Sequence, residues 1–199
     1  MFNRERVGNL MVSLCLSILL LGLSQGVAHA QTKLVKPASG GTLTINKSGS
    51  YFLAGNYITS LGNLPVIKIT VSNVTINLNG FSIISQASGG SSAIAINTIS
   101  GVTGVTIVNG TITKMKGTAI VLNGSSTVSG VQLINNNGDG VDCTSSCLVT
   151  NNVITGNGGT GLNFSDATSG YQNNILTGNG TNVTGGTSLS HNVCGSSVC

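Results

Sequence analysis

Four five-residue segments recur 21 residues apart in the second half of this 199-residue chain: TAIVL (118–122), DGVDC (139–143), TGLNF (160–164) and TNVTG (181–185). Their central residues continue an apolar column that starts one repeat earlier and comprises Ile99, Ile120, Val141, Leu162 and Val183. A fixed repeat of about this length, with several apolar positions and no helix punctuation, is typical of a β-solenoid.

Two further apolar columns share this repeat. The second comprises Ile112, Leu133, Ile154 and Ile175, and the third comprises Ile107, Val128 and Val149. Three columns per repeat indicate three short strands per coil, separated by tight corners. Side chains alternate along a strand, so the residue after each member of the first column points outward. Asp142 is therefore expected on the outer surface between Val121 and Asn163.

Asparagine and glycine dominate the expected corners. Asn109, Asn137, Asn157 and Asn179 each precede a glycine, and such pairs favour positive φ where a chain bends. Asn136 falls one repeat before Asn157, which predicts a ladder of stacked side-chain amides along one corner. We interpret this ladder as structural, because each amide bonds the next.

The first thirty residues are typical of a secretory signal peptide. Arg4 and Arg6 precede an apolar run over 10–23, and Ala28 and Ala30 form a small–x–small cleavage site. The run is shorter than the ~20 residues that span a bilayer. We therefore expect cleavage near Ala30 and a secreted, periplasmic or cell-surface protein without a membrane span. One β-helix domain with end caps is expected over 31–199.

Beyond residue 30 the chain contains no arginine or glutamate, and its charges are six lysines and three aspartates. The lysines are scattered, whereas nucleic-acid binding requires clustered basic residues. Nucleic acid is therefore excluded as a partner, and no motif for a cofactor or metal is found. The many β-branched residues at regular spacing argue against a disordered chain.

Four cysteines follow the signal segment, and an even number in an exported chain favours disulfides. Cys143 lies more than two coils from Cys194, and stacked strands are about 4.8 Å apart. That separation exceeds the ~7 Å Cα limit of a disulfide. The sequence therefore predicts the pairs Cys143–Cys147 and Cys194–Cys199. The alternative, a four-cysteine zinc site, lacks the usual two-residue spacing.

Several phrases of the chain resemble those of bacterial right-handed parallel β-helix repeat proteins of the pectin-lyase-like superfamily. They are SGSYFLAGNYIT (48–59), VSNVTINLNGFSI (71–83), GVTIVNGTI (104–112), NNGDGV (136–141) and GNGGTGL (156–162). The resemblance implies an all-β fold, a single three-sided right-handed parallel β-helix. It extends over nearly all of residues 42–180. The superfamily contains lyases, hydrolases, epimerases and adhesins, so the resemblance leaves activity open.

The catalytic motifs of these enzymes are not found in the sequence. Polygalacturonase-like enzymes carry Asn-Thr-Asp, Asp-Asp, Gly-His-Gly and Arg-Ile-Lys phrases, all missing here. Pectate-lyase-like enzymes use a basic residue beside a cluster of acids that holds calcium, and this chain has few acids. Mannuronan-epimerase-like motifs are missing too. The sequence thus favours a protein without catalytic activity.

Lys116, Asp139 and Asp142 are the only charged residues expected to meet at one corner. Three residues of extended chain span at most ~10 Å, so the two carboxylates fit the separation found in inverting glycosidases. An acid–base pair also needs one raised pKa, and an open strand face is a poor place to raise it. We interpret the two aspartates as solvated carboxylates that discourage aggregation. Catalysis by these residues is the alternative.

Besides catalysis, the sequence suggests glycan binding. Candidate contacts are the outward-facing Asp142 and Asn163, together with Tyr51 or Tyr57 as an exposed aromatic platform for a sugar ring. Core packing is the competing interpretation of both tyrosines.

Three functions follow from these observations. The favoured one is an exported β-helix without catalytic activity that binds polysaccharide or cell-surface glycans or serves as a structural module. The alternative is a small polysaccharide-active enzyme, pectate-lyase-like or glycoside-hydrolase-like, that uses Asp139, Asp142 and Lys116. Ice binding by outward threonines is the least favoured, because Asp139 interrupts the column that contains Thr160 and Thr181.

Overall fold

The structure, a computed structural model, describes residues 30–35, 41–88, 92–195 and 197–199. The predicted signal peptide lies outside these residues. The described residues form strands and turns without a helix. The strands are β1 (Thr32–Leu34), β2 (Leu43–Ile45), β3 (Gly49–Leu53), β4 (Tyr57–Thr59), β5 (Ile67–Ile69), β6 (Val74–Asn77), β7 (Ser82–Ser85), β8 (Ile96–Thr98), β9 (Thr106–Thr113), β10 (Ile120–Leu122), β11 (Thr127–Ile134), β12 (Val141–Cys143), β13 (Leu148–Thr150), β14 (Val153–Thr155), β15 (Thr160–Phe164), β16 (Gly170–Gln172), β17 (Ile175–Thr177), β18 (Thr181–Thr184), β19 (Thr187–Ser190), β20 (Val193–Cys194) and β21 (Ser197–Val198).

The strands stack into three columns, which are the three faces of a parallel β-helix of about seven coils. Face 1 is the seven-stranded sheet β2–β5–β8–β10–β12–β15–β18. Faces 2 and 3 share one sheet, because the long strands β9 and β11 run across both. After β11, face 2 continues through β13, β16 and β19, and face 3 continues through β14, β17 and β20. At the end of face 3, β20 pairs with β21 in antiparallel orientation.

The bore of the β-helix is filled by the alternate apolar side chains of these strands, as predicted. Ile120 pairs with Val141, Val141 with Leu162 and Leu162 with Val183 on face 1. The columns Ile107–Val128–Val149 and Ile112–Leu133–Ile154 are likewise in register on faces 2 and 3. Leu133 is fully buried. At about 25 cal/mol per Å² of buried apolar surface, these stacked columns are the main stabilising interaction.

Two predicted members of these columns are wrong. The coil that precedes Ile120 is longer than 21 residues, so Ile120 pairs with Ile96, and Ile99 is exposed. On face 3, the coil that follows Ile154 is 22 residues long, so Leu176 takes the bore position. Ile175 is consequently turned outward and is 47% exposed. A shift of one residue exchanges the two faces of a strand, which explains the second error.

The corner prediction is confirmed at Asn109, whose φ of 59° lies in the left-handed region. It is wrong for Asn137, Asn157 and Asn179, which do not have positive φ. At that corner the chain bends instead at Asn135, Gly156 and Gly178 (φ 54°, 67° and 64°).

The predicted amide ladder exists. Each of its asparagines directly follows the residue at which the chain bends. The side-chain amide of Asn136 donates to Oδ1 of Asn157 at 2.9 Å, and that of Asn157 donates to Oδ1 of Asn179 at 2.9 Å. A second ladder, which the sequence analysis missed, joins the buried residues Asn152, Asn174 and Asn192 at 3.0 Å per step. Both ladders satisfy backbone groups at the corners they line.

Both predicted disulfides are confirmed. Cys143 is bonded to Cys147 and Cys194 to Cys199, with Cα–Cα distances of 6.4 and 5.2 Å. The first bridge closes a corner directly after β12. The second links β20 to the end of the chain beyond β21. Disulfides of this kind indicate an oxidising compartment.

Candidate functional site

The outer surface of face 1 carries the candidate residues in one continuous column. Strands β5, β8, β10 and β12 of this face have a buried–outward–buried pattern, so one side chain of each points to solvent, and the column begins at β5, one coil after Thr44. The register places these outward residues in the order Lys68, Asn97, Val121, Asp142, Asn163 and Thr184. The predicted position of Asp142 between Val121 and Asn163 is therefore confirmed. We refer to these six residues as the face 1 column.

Asp139 lies beside this column, at the corner that leads into β12. Its Oδ1 accepts the backbone N–H of Thr160 at 2.6 Å, and its Oδ2 accepts the side-chain amide of Asn163 at 3.1 Å. Its own N–H donates to the hydroxyl of Thr118 at 3.3 Å. A side chain at position 159 would collide with Oδ1 of Asp139, so this position accommodates the carboxylate only as glycine. Asp139 thus bridges three successive coils.

Asp142 is half-buried, and its carboxyl is the perturbed group of the site. Burial raises its pKa, and the nearby charge of Asp139 raises it further. Both causes disfavour the ionised carboxylate. An open strand face was expected to be a poor place to raise a pKa, but this side chain is partly shielded from water and the pKa of its carboxyl is raised.

Lys116 lies at the adjoining corner, where it is level with Asn137 and not with Asp139. The backbone N–H groups of Asn137 and Gly138 donate to the carbonyls of Met115 and Gly117, which places Lys116 level with Asn137. Asp139 stands level with Thr118 instead. The structure thus brings Asp139, Asp142 and Asn163 together and leaves Lys116 at the border of the group.

Neither candidate tyrosine is an open platform for a sugar ring. Tyr57 is only 4% exposed, and burial raises the pKa of its hydroxyl. Tyr51 pairs with the bore residue Ile76 and packs against the core at the first coils. Its hydroxyl donates to the carbonyl of Lys47 at 2.7 Å. Core packing, the competing interpretation, is the one that the structure shows for both residues.

The remaining acidic residue has a local structural role. Asp166 accepts hydrogen bonds from the hydroxyls of Thr168 at 2.6 Å and Ser169 at 3.1 Å, within the corner after β15. The bond from Thr168, followed by that from Ser169, lowers the pKa of Asp166. The carboxylate of Asp166 therefore stabilises this turn.

Lys68 and Asn97 belong to the face 1 column but were missed at sequence level. The N-terminal coils differ in length, so spacing alone does not align these residues with Asp142. The alternation in IKI (67–69) and INT (96–98) was the available signal, because each segment shows two buried residues around one outward residue.

Among the described residues, no group of three or more histidine, cysteine and acidic side chains is arranged to hold a metal ion. That part of the chain also contains no helix of the length and apolarity needed to cross a membrane.

Comparison with known proteins gives one structural likeness. No family model matches the sequence, and no curated protein matches it. The A-module of the mannuronan C-5 epimerase AlgE4 of Azotobacter vinelandii is similar to this chain with a TM-score of 0.45 and 15% sequence identity. The similarity covers 80% of this chain, which spans 63% of the length of that module.

Proposed function

We propose that this protein is an exported β-helix module that binds polysaccharide along the face 1 column without cleaving it. The observation that supports this proposal is the in-register series Lys68, Asn97, Asp142 and Asn163, which presents amide, ammonium and carboxyl groups along the helix axis. Hydroxyl groups of a sugar chain are recognised by side chains of this type.

The spacing of the column supports a linear, repeating ligand. Successive coils are about 4.8 Å apart, so an extended polymer lying along the axis meets a new outward side chain at every coil. Val121 interrupts the polar series and offers an aliphatic contact between Asn97 and Asp142. The two disulfides and the predicted signal peptide agree with a role outside the cytoplasm.

The hydrogen bonds of Asp139 favour binding over catalysis. Both of its carboxylate oxygens accept hydrogen bonds from the protein, one from a backbone N–H and one from an amide. A general base or nucleophile must direct a lone pair at the substrate, whereas these two hydrogen bonds orient the carboxylate of Asp139 towards the next coil. Asp139 is instead held as a support for Asn163.

The test is affinity electrophoresis of the mature protein through gels that contain soluble neutral or acidic polysaccharides. Asn97→Ala and Lys68→Ala are expected to abolish the retardation, because they remove outward groups from the column. Ser129→Ala, on the outer surface of face 2, is the matched control and is expected to keep it. Absence of retardation by every polymer, or equal retardation of all variants, would contradict the proposal.

The second candidate function is polysaccharide cleavage with Asp142 as the acid, and its raised pKa is the observation that favours it. This candidate expects new reducing ends or unsaturated uronide products, lost in Asp142→Asn and retained in Asp166→Asn. Turnover with this pattern would replace the binding proposal. Retardation without turnover would eliminate the candidate.

A further inference from the structure

The outer surface of face 3 differs from face 1 in having two regular columns without a charged or aromatic side chain. The first column comprises Ser82, Thr111, Gln132, Val153, Ile175 and Val193. Its last members are strongly exposed for aliphatic residues, with Ile175 at 47% and Val193 at 41%. Exposed apolar residues that stand in a row indicate a binding surface, whereas isolated ones do not.

The second column of face 3 is rich in threonine. It comprises Ile58, Ile84, Thr113, Ile134, Thr155 and Thr177, in register from coil to coil, and its four members from Thr113 onward are half-buried. The hydroxyls of Thr155 and Thr177 are hydrogen-bonded to each other at 3.0 Å, which fixes their orientation. Apart from Ser82 and Gln132, the residues of both columns are β-branched and have few χ1 rotamers, so they present their methyl groups in a nearly fixed arrangement.

Because its side chains are uncharged and regularly spaced, this surface is expected to bind an uncharged partner that itself has a repeating structure. Charged polymers gain nothing from a surface without charges. Sugar rings stack on aromatic side chains, and neither column contains one. Apart from the flexible amide side chain of Gln132, this surface is an array of methyl and hydroxyl groups, repeated at about 4.8 Å along the axis. Water next to methyl groups is orientationally restricted, and fixed hydroxyls anchor it at defined points.

We propose that face 3 binds ice, with the two columns ordering a layer of water that continues into the crystal lattice. The preformed geometry of the array lowers the entropic cost of adsorption, because few side chains must be immobilised. The ice-binding surface is thus distinct from the face 1 column. The threonines near Asp139, Thr160 and Thr181, belong to face 1 and not to this surface.

The proposal is tested by partitioning the mature, disulfide-bonded protein between a slowly growing ice hemisphere and the liquid, together with measurement of thermal hysteresis. The protein is expected to enter the ice and to depress the freezing point below the melting point. Ile175→Lys is expected to lose both properties. Gln132→Lys, at an exposed position that already tolerates a long polar side chain, is expected to lose them without a risk of misfolding.

Leu148→Lys is the matched control, because Leu148 is 40% exposed on the outer surface of face 2. It is expected to behave like the wild-type protein in both assays. Exclusion of the wild-type protein from ice would overturn the proposal, and so would equal losses in Gln132→Lys and Leu148→Lys. Binding to crystalline cellulose or chitin without entry into ice would overturn it in favour of a solid neutral polysaccharide.

Discussion

The N-terminal and C-terminal coils of this β-helix follow different construction rules. From Thr106 to Thr184, strands of neighbouring coils pair residues 21 or 22 positions apart, as in the Asn136–Asn157 and Asn152–Asn174 pairs, and the last coil is shorter, with 18 positions between Asn174 and Asn192. In the N-terminal coils the separation varies, with 24 positions between Ser48 and Ser72 and 31 between Ser72 and Thr103. The strands of these coils still pair in register, because the additional residues lie between the strands.

This difference determines which bonds hold the coils together. Coils of nearly equal length place asparagines directly above one another in two amide ladders, and the second ladder continues across the shorter last coil to Asn192. In the N-terminal coils, single hydroxyls bond backbone carbonyls instead, such as Thr42 to Pro65 at 2.7 Å and Ser48 to Ser72 at 2.8 Å. Both disulfides also lie in the C-terminal half. We therefore expect the C-terminal coils to be the more stable region.

The largest effect is expected from a charge in the bore. Leu133→Asp places an unpaired carboxylate among fully buried residues of the C-terminal coils and is expected to prevent folding. Ile76→Asp makes the same change in the N-terminal coils. Because solenoid coils contact only their neighbours, Ile76→Asp is expected to leave the C-terminal coils folded.

Limited proteolysis with mass spectrometry measures this contrast. A protected fragment that begins near residue 104 is expected for Ile76→Asp, and none is expected for Leu133→Asp. Unchanged melting of Leu133→Asp would show that the register is wrong. Complete digestion of both variants would show instead that the two halves unfold as one unit.

The next largest effect is expected from the amide ladder. Asn174 is fully buried and bonds Asn152, Asn192 and the carbonyl of Val149, so Asn174→Ala leaves several buried groups without partners. A loss of at least about 2 kcal/mol in the free energy of unfolding is expected from urea denaturation.

The N-terminal counterpart of this change is Asn56→Ala. Asn56 is exposed and accepts one backbone N–H, from Ser82 at 2.9 Å, so its loss is expected to cost less than about 1 kcal/mol. Equal losses in the two variants would remove the energetic distinction between the halves.

An effect of about 2 kcal/mol is expected when the Cys143–Cys147 bridge is removed by replacing both cysteines with alanine, since the bridge closes a short loop. Replacing Cys194 and Cys199 is expected to increase amide hydrogen exchange in β20 and β21 while β11 and β14 stay protected. Exchange that rises along the whole chain in the second variant would contradict a local role of that bridge.

The smallest effect concerns the pH dependence of stability, in which Asp142 and Asp166 are opposites. The folded protein holds the proton of Asp142 more tightly than the unfolded chain, because burial, followed by the charge of Asp139, raises its pKa above 3.8. The stability that protonated Asp142 contributes is present below the ordinary pKa and is lost as the pH rises through the pKa of Asp142 in the folded protein. Asp142→Asn is expected to stabilise the protein at neutral pH, with a gain that vanishes below the ordinary pKa.

Asp166 is the control of opposite sign. Hydrogen bonds from Thr168 and Ser169 lower its pKa below 3.8, so its contribution is present above that value and is lost as the pH falls through the folded pKa. Asp166→Asn is expected to destabilise the protein at neutral pH but not in acid. Thermal melting of both variants across the acidic range measures the two slopes, and slopes of the same sign would contradict the assignment.

The fold was predictable from the sequence wherever the coil length is constant. The bore residues Ile120, Val141 and Leu162, the outward position of Asp142 and both disulfides follow from a period of 21 residues. The candidate site was only partly predictable. Spacing located Asp139 and Asp142, but the contact of Asp139 with Asn163 and the burial around Asp142 depend on neighbouring coils.

The sequence by itself determined the repeat, the three columns of apolar residues and the local pairing of the cysteines, because these depend on spacing along one chain. Only the tertiary structure decided the register of the coils with unequal length, where Ile96 and not Ile99 enters the bore. It also decided that Ile175 faces solvent, since one additional residue per coil exchanges the two sides of a strand. The surfaces of faces 1 and 3 arise from these registers, which join residues that are distant in sequence.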